Sequence, residues 1–126
     1  MPRPESRVSV EFVPPDTVEM KFRGHVSTRE VEIALDGAKL AALRTRPRFF
    51  VLDATDTTGY DADVRRPGVE LLKGLRELGV GFGVCIAPSS PVRMIGAAVA
   101  FVAGLPVKFV EHRVECEAAL SAKRRE

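Results

Sequence analysis

Residues 48–53, with the sequence RFFVLD, form a short and nearly continuous apolar run. Such a run is typical of a central strand that is buried on both faces of a parallel sheet. Similar runs cover residues 80–86, with the sequence VGFGVCI, and residues 106–110. Helical patterns separate these runs, so the sequence predicts strand–helix–strand units with right-handed crossovers.

A different pattern precedes the first apolar run. Residues 7–13 and 17–22 alternate polar and apolar side chains, and a Pro-Pro-Asp turn at residues 14–16 lies between them. This arrangement predicts an antiparallel hairpin. We expect Gly24 to end the second strand and the residues after it to lead into a helix.

Four helices complete the predicted order. Ser27 and Glu30 match a capping box at the start of the first helix. The predicted bounds are Ser27 to about residue 44, Pro67 to Gly79, Ser90 as N-cap to Gly104, and about 113–123. The order β-β-α-β-α-β-α-β-α predicts one α/β domain over residues 1–126, with its core at about 7–122. Its sheet is mixed and mostly parallel, with an antiparallel N-terminal hairpin.

Composition limits the classes of partner. The chain has 126 residues, 45% of them apolar and 29% charged, and a net charge of +2. This charge is too small to favour nucleic acid or an anionic membrane as the main partner. The basic clusters at residues 44–48 and 123–125 are interpreted as a solvated helix end and a solvated tail.

The sequence shows neither a targeting segment nor a paired cysteine motif. Residues 1–5 show no apolar segment of signal type, and the longest apolar stretch, 94–105, is too short to span a bilayer, so we expect a cytoplasmic protein. Cys85 and Cys116 form no C-x-x-C pair, and Cys85 is expected to behave as a small hydrophobic residue. The sequence predicts no cofactor.

The order of elements and several segments resemble the STAS domain family (sulfate transporter and anti-sigma factor antagonist). Residues 51–53, with the sequence VLD, match the end of a family strand, and Asp61 falls where the following turn carries an aspartate. Residues 77–82 resemble the family's helix end and next strand, and residues 114–120 resemble its closing helix. The resemblance covers residues 8–120 and implies a regulatory, protein-binding domain of bacterial signalling and transcription regulation.

The sequence departs from the family at the phosphorylation site. The resemblance implies a phosphorylated Ser or Thr just after the aspartate, where a phosphate adds about −1.5 to −2 charge inside the partner interface. Ala62 occupies the aligned position and Asp63 the next one. The usual switch is therefore expected to be missing, or moved to Thr57, Thr58 or Ser89.

A partner surface is predicted at the start of the helix that contains Pro67. Tyrosine and arginine are common anchors of protein interfaces. The predicted surface consists of Tyr60, Asp61, Ala62, Asp63, Arg65 and Arg66. The expected partner is an anti-sigma factor, a related switch kinase or other STAS-like subunits, and the expected role is not catalytic.

Two alternatives stay open. Residues 54–59 predict a polar loop after the central strand. The carboxylates of Asp53, Asp56, Asp61 and Asp63 lie at the carboxyl end of that strand and beyond it, where they could hold a divalent metal in a small metal-dependent enzyme. The competing interpretation is that Asp61 or Asp63 caps the helix and the others close turns. The second alternative is a homodimer or larger scaffold that uses the helix at 94–105, which is apolar nearly all round, unless that helix is buried in its own domain.

The remaining chemical candidates predict no site. His25 and His112 lack Cys or His neighbours at ligand spacing and are expected to lie on the surface or in loops. Gly79, Gly81 and Gly83 fall within a predicted strand rather than at a strand-to-helix turn, so they do not predict a phosphate-binding loop.

Overall fold

The computed structural model describes residues 8–126. Three predictions fall on residues 1–7 and lie outside this range. They are the first residue of the N-terminal strand, the start of the domain and the lack of an apolar leader.

A five-stranded sheet and four helices make up the described chain. The strands are β1 (Val8–Val13), β2 (Thr17–Val26), β3 (Phe49–Tyr60), β4 (Phe82–Ile86) and β5 (Val107–Val110). The helices are α1 (Thr28–Thr45), α2 (Arg65–Glu77), α3 (Ser90–Ala103) and α4 (Arg113–Arg124), and a 3-10 turn (Ala62–Val64) precedes α2. The strand order is β1-β2-β3-β4-β5, with β1 antiparallel to β2 and the other pairs parallel. The predicted α/β class with a mixed, mostly parallel sheet is confirmed.

The helices cover the sheet unequally. Helices α1, α2 and α3 pack on one face, where Met20, Phe50 and Leu75 are fully buried. Among the helices of residues 8–126, α4 is the one that packs on the other face, over Val51 and Val84. Successive residues of a strand face opposite sides of a sheet, so residues 49–52 are all apolar because helices cover both faces of the strand.

Strands β2 and β3 are longer than predicted. The predicted polar loop at 54–59 is instead the second half of β3, which pairs with β2 as far as Tyr60 while its pairing with β4 stops at Asp53. Gly24 does not end β2 but lies inside it, at a φ of 69° and beside a shift in the strand register. Glycine tolerates this positive φ, so the strand passes through the irregularity and continues to Val26.

The sequence predicted a particular residue at the start of three helices, and the structure confirms two of these predictions. The capping box of α1 is confirmed, because the Ser27 hydroxyl accepts from the Glu30 amide at 3.4 Å and the Ser27 amide donates to the Glu30 carboxylate at 2.9 Å. Pro67 lies buried in the first turn of α2, as predicted. The prediction of Ser90 as N-cap of α3 is wrong by one residue, because Ser89 takes that position and Pro91 fits the second helical position as well as the first.

Helix α3 has one buried side and one exposed apolar side. Val99, Ala100 and Ala103 are buried against the domain. Met94 is 73% exposed and Phe101 88% exposed. The interpretation of α3 as a helix well buried within its own domain therefore holds for one side of the helix only. Across residues 8–126, no helix is both long enough and apolar enough to cross a bilayer.

Candidate protein-binding surface

The junction between β3 and α2 is held in place from β2. The Asp61 amide donates to the Val26 carbonyl at 2.9 Å, and His25 Nε2 lies 2.6 Å from the Asp61 carboxylate. Val64 is buried in the main core just beyond this point. The chain between the strand and the helix is thus anchored at both ends, which leaves the intervening side chains in defined positions.

The residues predicted as a partner surface lie along this junction. The outward-facing ones are Asp61, Ala62, Asp63, Arg65 and Arg66, and all five are exposed. Tyr60 is half-buried, and its hydroxyl lies 3.4 Å from the Pro91 carbonyl of α3.

Charge of both signs is present within a few residues of this surface. The Arg66 side chain is 91% exposed, and its only ion pair among the described residues is a 4.0 Å contact with Glu70. Its guanidinium, and the nearby Asp63 carboxylate, therefore face solvent. An acidic and a basic group thus line the same face of the domain.

A shallow groove connects this surface with α3. Ala62, Asp63, Arg65 and Arg66 line it on one side, and Val102 of α3 lines it on another. Val102 belongs to the exposed apolar side of α3, next to Phe101. The predicted charged surface therefore continues into an apolar one, a connection that appears only when the helices are packed.

Asp53 is not part of a loop but is buried on the α4 face of the sheet. Its carboxylate accepts from the Thr55 amide at 2.9 Å, from the Thr55 hydroxyl at 2.6 Å and from Arg113 Nη2 at 2.9 Å. Burial raises the pKa of Asp53, but the hydrogen bonds from Thr55 and the charge of Arg113 outweigh it, so the pKa lies below its ordinary value.

The other three acidic residues do not converge on Asp53. Asp56 lies in β3 and is 3.8 Å from the Lys21 ammonium, Asp61 contacts His25, and Asp63 lies in the 3-10 turn. Within residues 8–126, no group of three His, Cys, Asp or Glu side chains is placed to hold a metal ion. The prediction that Asp61 or Asp63 caps the helix is also wrong, since neither the 3-10 turn nor α2 has a side-chain hydrogen bond at its N-cap, and Asp53 and Asp56 lie within β3 rather than in turns.

Two arginines of α4 form contacts that the sequence did not predict. Arg113 donates to Glu19 at 2.8 and 3.1 Å as well as to Asp53, and Arg124 donates to Asp16 at 2.7 Å. The basic cluster at 123–125 is therefore not simply a solvated tail. No local spacing could have indicated these contacts, because Arg124 and Asp16 are 108 positions apart.

Cys85 has the apolar surroundings that were predicted for it, and Cys116 is buried in the core on the α4 face of the sheet. Both are buried and free of disulfide bonds. Burial raises the pKa of Cys85 to about 12 and that of Cys116 to about 11. Since the thiolate is the reactive form, neither thiol is poised for nucleophilic chemistry.

Comparison with solved structures identifies the fold. No protein-family model matches the sequence, and no curated protein matches it. Solved structures do match across nearly the whole chain, and they show that it has the α/β fold of an anti-sigma factor antagonist, the fold that the resemblance implied.

Three of these structures belong to or resemble SpoIIAA. The anti-sigma factor antagonist SpoIIAA in its unphosphorylated form has a TM-score of 0.68 at 14% identity, covering 93% of this chain and 97% of that one. The phosphorylated form of SpoIIAA, described as a Bacillus cell fate determinant, gives 0.65 at 12% identity, covering 89% and 98%. An uncharacterized DUF3478-family protein with a SpoIIAA-like fold, from Shewanella loihica PV-4, gives 0.62 at 16% identity, covering 90% and 91%. The chain therefore has the fold of SpoIIAA.

Proposed function

We propose that this protein is a non-catalytic, cytoplasmic regulatory domain that acts like an anti-sigma factor antagonist by binding another protein. The partner would be an anti-sigma factor, a related switch kinase or another STAS-like subunit. The SpoIIAA fold supports the class of function, since SpoIIAA is itself an anti-sigma factor antagonist. The surface at the start of α2 supports the mode of binding.

The observation that carries this proposal is the continuity between the charged junction and the exposed side of α3. Protein interfaces combine apolar anchors with a polar rim. Phe101 is 88% exposed and supplies such an anchor, while Arg65 and Arg66 supply the rim. A large aromatic side chain that is left in solvent beside a groove favours a role in contact with a partner.

Regulation at this surface would differ from the family's usual phosphorylation. Residues 60–66 contain no Ser or Thr. Asp63 carries a fixed negative charge in the turn that leads into α2. The proposed domain therefore binds its partner in one state, without a phosphoryl group being added or removed at this turn.

Charge reversal at the proposed surface tests the function. Affinity purification of the tagged chain from its native cells, followed by mass spectrometry, identifies the partner, which is then purified and titrated with each variant. We expect R65E/R66E to weaken binding at least tenfold, because it places four units of charge change at the contact.

The matched control is R44E/R125E, which makes the same change in net charge. Arg44 lies in the last turn of α1, at the opposite end of the helix from the groove residue Thr28, and Arg125 follows α4. We expect this variant to bind within about twofold of the wild type, since distant exposed charges act weakly. Equal affinity of R65E/R66E and the wild type would refute the proposed surface.

A second copy of the chain is the other candidate partner. The exposed apolar side of α3, with Met94, Phe101 and Val102, favours it because a two-fold interface can pair such a side with itself. Light scattering on the purified chain and on F101S separates the two. A wild-type dimer that F101S converts to a monomer would support self-association. If the wild type and F101S are both monomers, the exposed side of α3 is instead expected to bind a different protein.

A further inference from the structure

An apolar cavity lies between the sheet and the helices that cover it. Its volume is about 120 Å³. Its walls include Phe50 and Phe109 from the strands, Leu72 from α2, and Ile95 and Val99 from α3. A cavity of about 150 Å³ with similar aliphatic and aromatic walls, engineered into another protein, binds benzene. The space in this domain is therefore of the size that accepts a single aromatic ring.

The cavity is close to solvent at one end. Tyr60, Val92 and Ile95 line it and are only half-buried. They come from the end of β3 and the first half of α3, two elements that are joined there by the 3.4 Å contact between the Tyr60 hydroxyl and the Pro91 carbonyl. A small molecule could enter beside this contact without disturbing the core on the far side of the sheet.

Thr57 adds one polar feature to the apolar walls. It lines the cavity, and its Oγ1 is buried with no hydrogen-bond partner among residues 8–126. A buried hydroxyl without a partner costs free energy. The oxygen is shielded from the cavity in this rotamer, and rotation about χ1 to another staggered position turns it toward the cavity, where the hydroxyl can either donate or accept.

A water molecule does not suit this site well. Buried waters need two to four polar partners, whereas the cavity walls are almost entirely apolar. A ligand with one hydrogen-bonding group and an apolar body would satisfy Thr57 and fill the remaining space with apolar atoms.

We propose that this cavity binds a small single-ring aromatic molecule that carries one hydroxyl group, with the ring among Phe50, Ile95 and Phe109 and the hydroxyl bonded to Thr57 Oγ1. The proposal does not depend on the partner surface. It assigns the domain a small-molecule site in addition to its proposed protein-binding role.

The test is an NMR titration of the full chain with phenol and with toluene, which has a similar size but no hydroxyl. We expect both probes to produce saturable shifts at the amides of lining residues such as Ile95 and Phe109, and not at Glu11 in β1. T57V keeps the shape of the side chain and removes the oxygen. It should weaken phenol at least fivefold, the loss of about one hydrogen bond, and change toluene less than twofold.

T58V is the matched control, because Thr58 is the exposed neighbour of Thr57 on the same strand and does not line the cavity. It should leave both affinities within twofold of the wild type. V92F, which fills the end of the cavity near α3, should abolish both. Absence of saturable shifts at the lining residues, or equal affinity of T57V and the wild type for phenol, would overturn the proposal whether or not V92F folds.

Discussion

At the scale of single residues, the contact between Arg113 and Asp53 ties α4 to the sheet. Asp53 is almost completely buried, and Arg113 reaches it while also bonding Glu19 of β2. The attraction between the charges in this partly buried site raises the pKa of Arg113 above its ordinary value, with the hydrogen bond to Glu19 as the largest cause. The contact compensates a carboxylate that would otherwise be expensive to bury.

Removing the arginine should therefore cost more than removing an ordinary surface charge. We expect R113M to lower the free energy of unfolding by about 2 kcal/mol, because Asp53 is left buried without its cation. Urea unfolding at pH 7, followed by circular dichroism, measures the change. The control R44M alters an exposed arginine of α1 and should change stability by less than about 0.5 kcal/mol. Similar values for the two variants would contradict the assigned role of Arg113.

At the scale of secondary-structure elements, glycine occupies the positions around β4 for different physical reasons. Gly79 has a φ of 103°, which favours glycine just after α2. A Cβ atom on Gly83 would overlap the ring of Phe50, which is almost completely buried. An added Cβ on Gly81 would meet nothing within 4 Å. The glycine pattern therefore reflects a turn and one close contact between β4 and β3 rather than a phosphate-binding loop.

Two alanine substitutions distinguish these roles. We expect G83A to lower the free energy of unfolding by about 2 kcal/mol, because the added methyl group overlaps the buried ring of Phe50 and forces it to shift toward the adjoining cavity. G81A places its methyl group in open space and should stay within about 0.5 kcal/mol of the wild type. Denaturant unfolding of both proteins under one set of conditions gives the comparison, and a mild effect of G83A would show that Phe50 has more freedom than its packing indicates.

At the scale of the whole molecule, α4 is the only helix in the described part of the chain that covers its face of the sheet, and ion pairs hold both of its ends. Arg113 in its first turn contacts Asp53, and Arg124 in its last turn contacts Asp16. The hydrogen bond from Arg124 lowers the pKa of Asp16 more than burial raises it. Both aspartates thus have lower pKa values in the folded protein than in the unfolded chain.

This difference predicts the acid response of the domain. A carboxyl group whose pKa is lowered by folding stabilises the protein above its unfolded pKa, about 4, and loses that contribution as the pH falls through the lower folded value. We expect these two groups to contribute a constant amount between pH 7 and 5 and a steep loss of unfolding free energy below about pH 4. Urea unfolding across this range measures the slope.

The variants D16N/D53N and D36N/D56N provide the comparison. The first removes both carboxyl groups with lowered pKa values and should give a shallower slope below pH 4. The second removes two exposed aspartates, so its slope should match that of the wild type. If all three proteins lose stability with the same slope, the ion pairs of α4 do not determine the acid response.

The sequence by itself determined the order of the elements, the class of the sheet and several helix boundaries. Apolar period, proline, glycine and capping residues are local signals, and local backbone preferences act over a few residues. Residues 48–53 could thus be recognised as a central strand, and Ser27 as the start of α1, without any tertiary contact. The grouping of the six residues of the predicted partner surface also followed from the sequence, because they are neighbours along the chain, and their role in binding stays a prediction.

Only the tertiary structure decided where the charges and the exposed apolar groups come together. The carboxylates of Asp53 and Asp61 looked like parts of one loop, but the longer pairing of β3 with β2 sends them to Arg113 and His25. The exposed side of α3 and the cavity beside Thr57 depend on how helices from distant parts of the chain pack on the sheet. Such contacts follow from the shapes of surfaces that meet across many residues of sequence, so no local pattern encodes them.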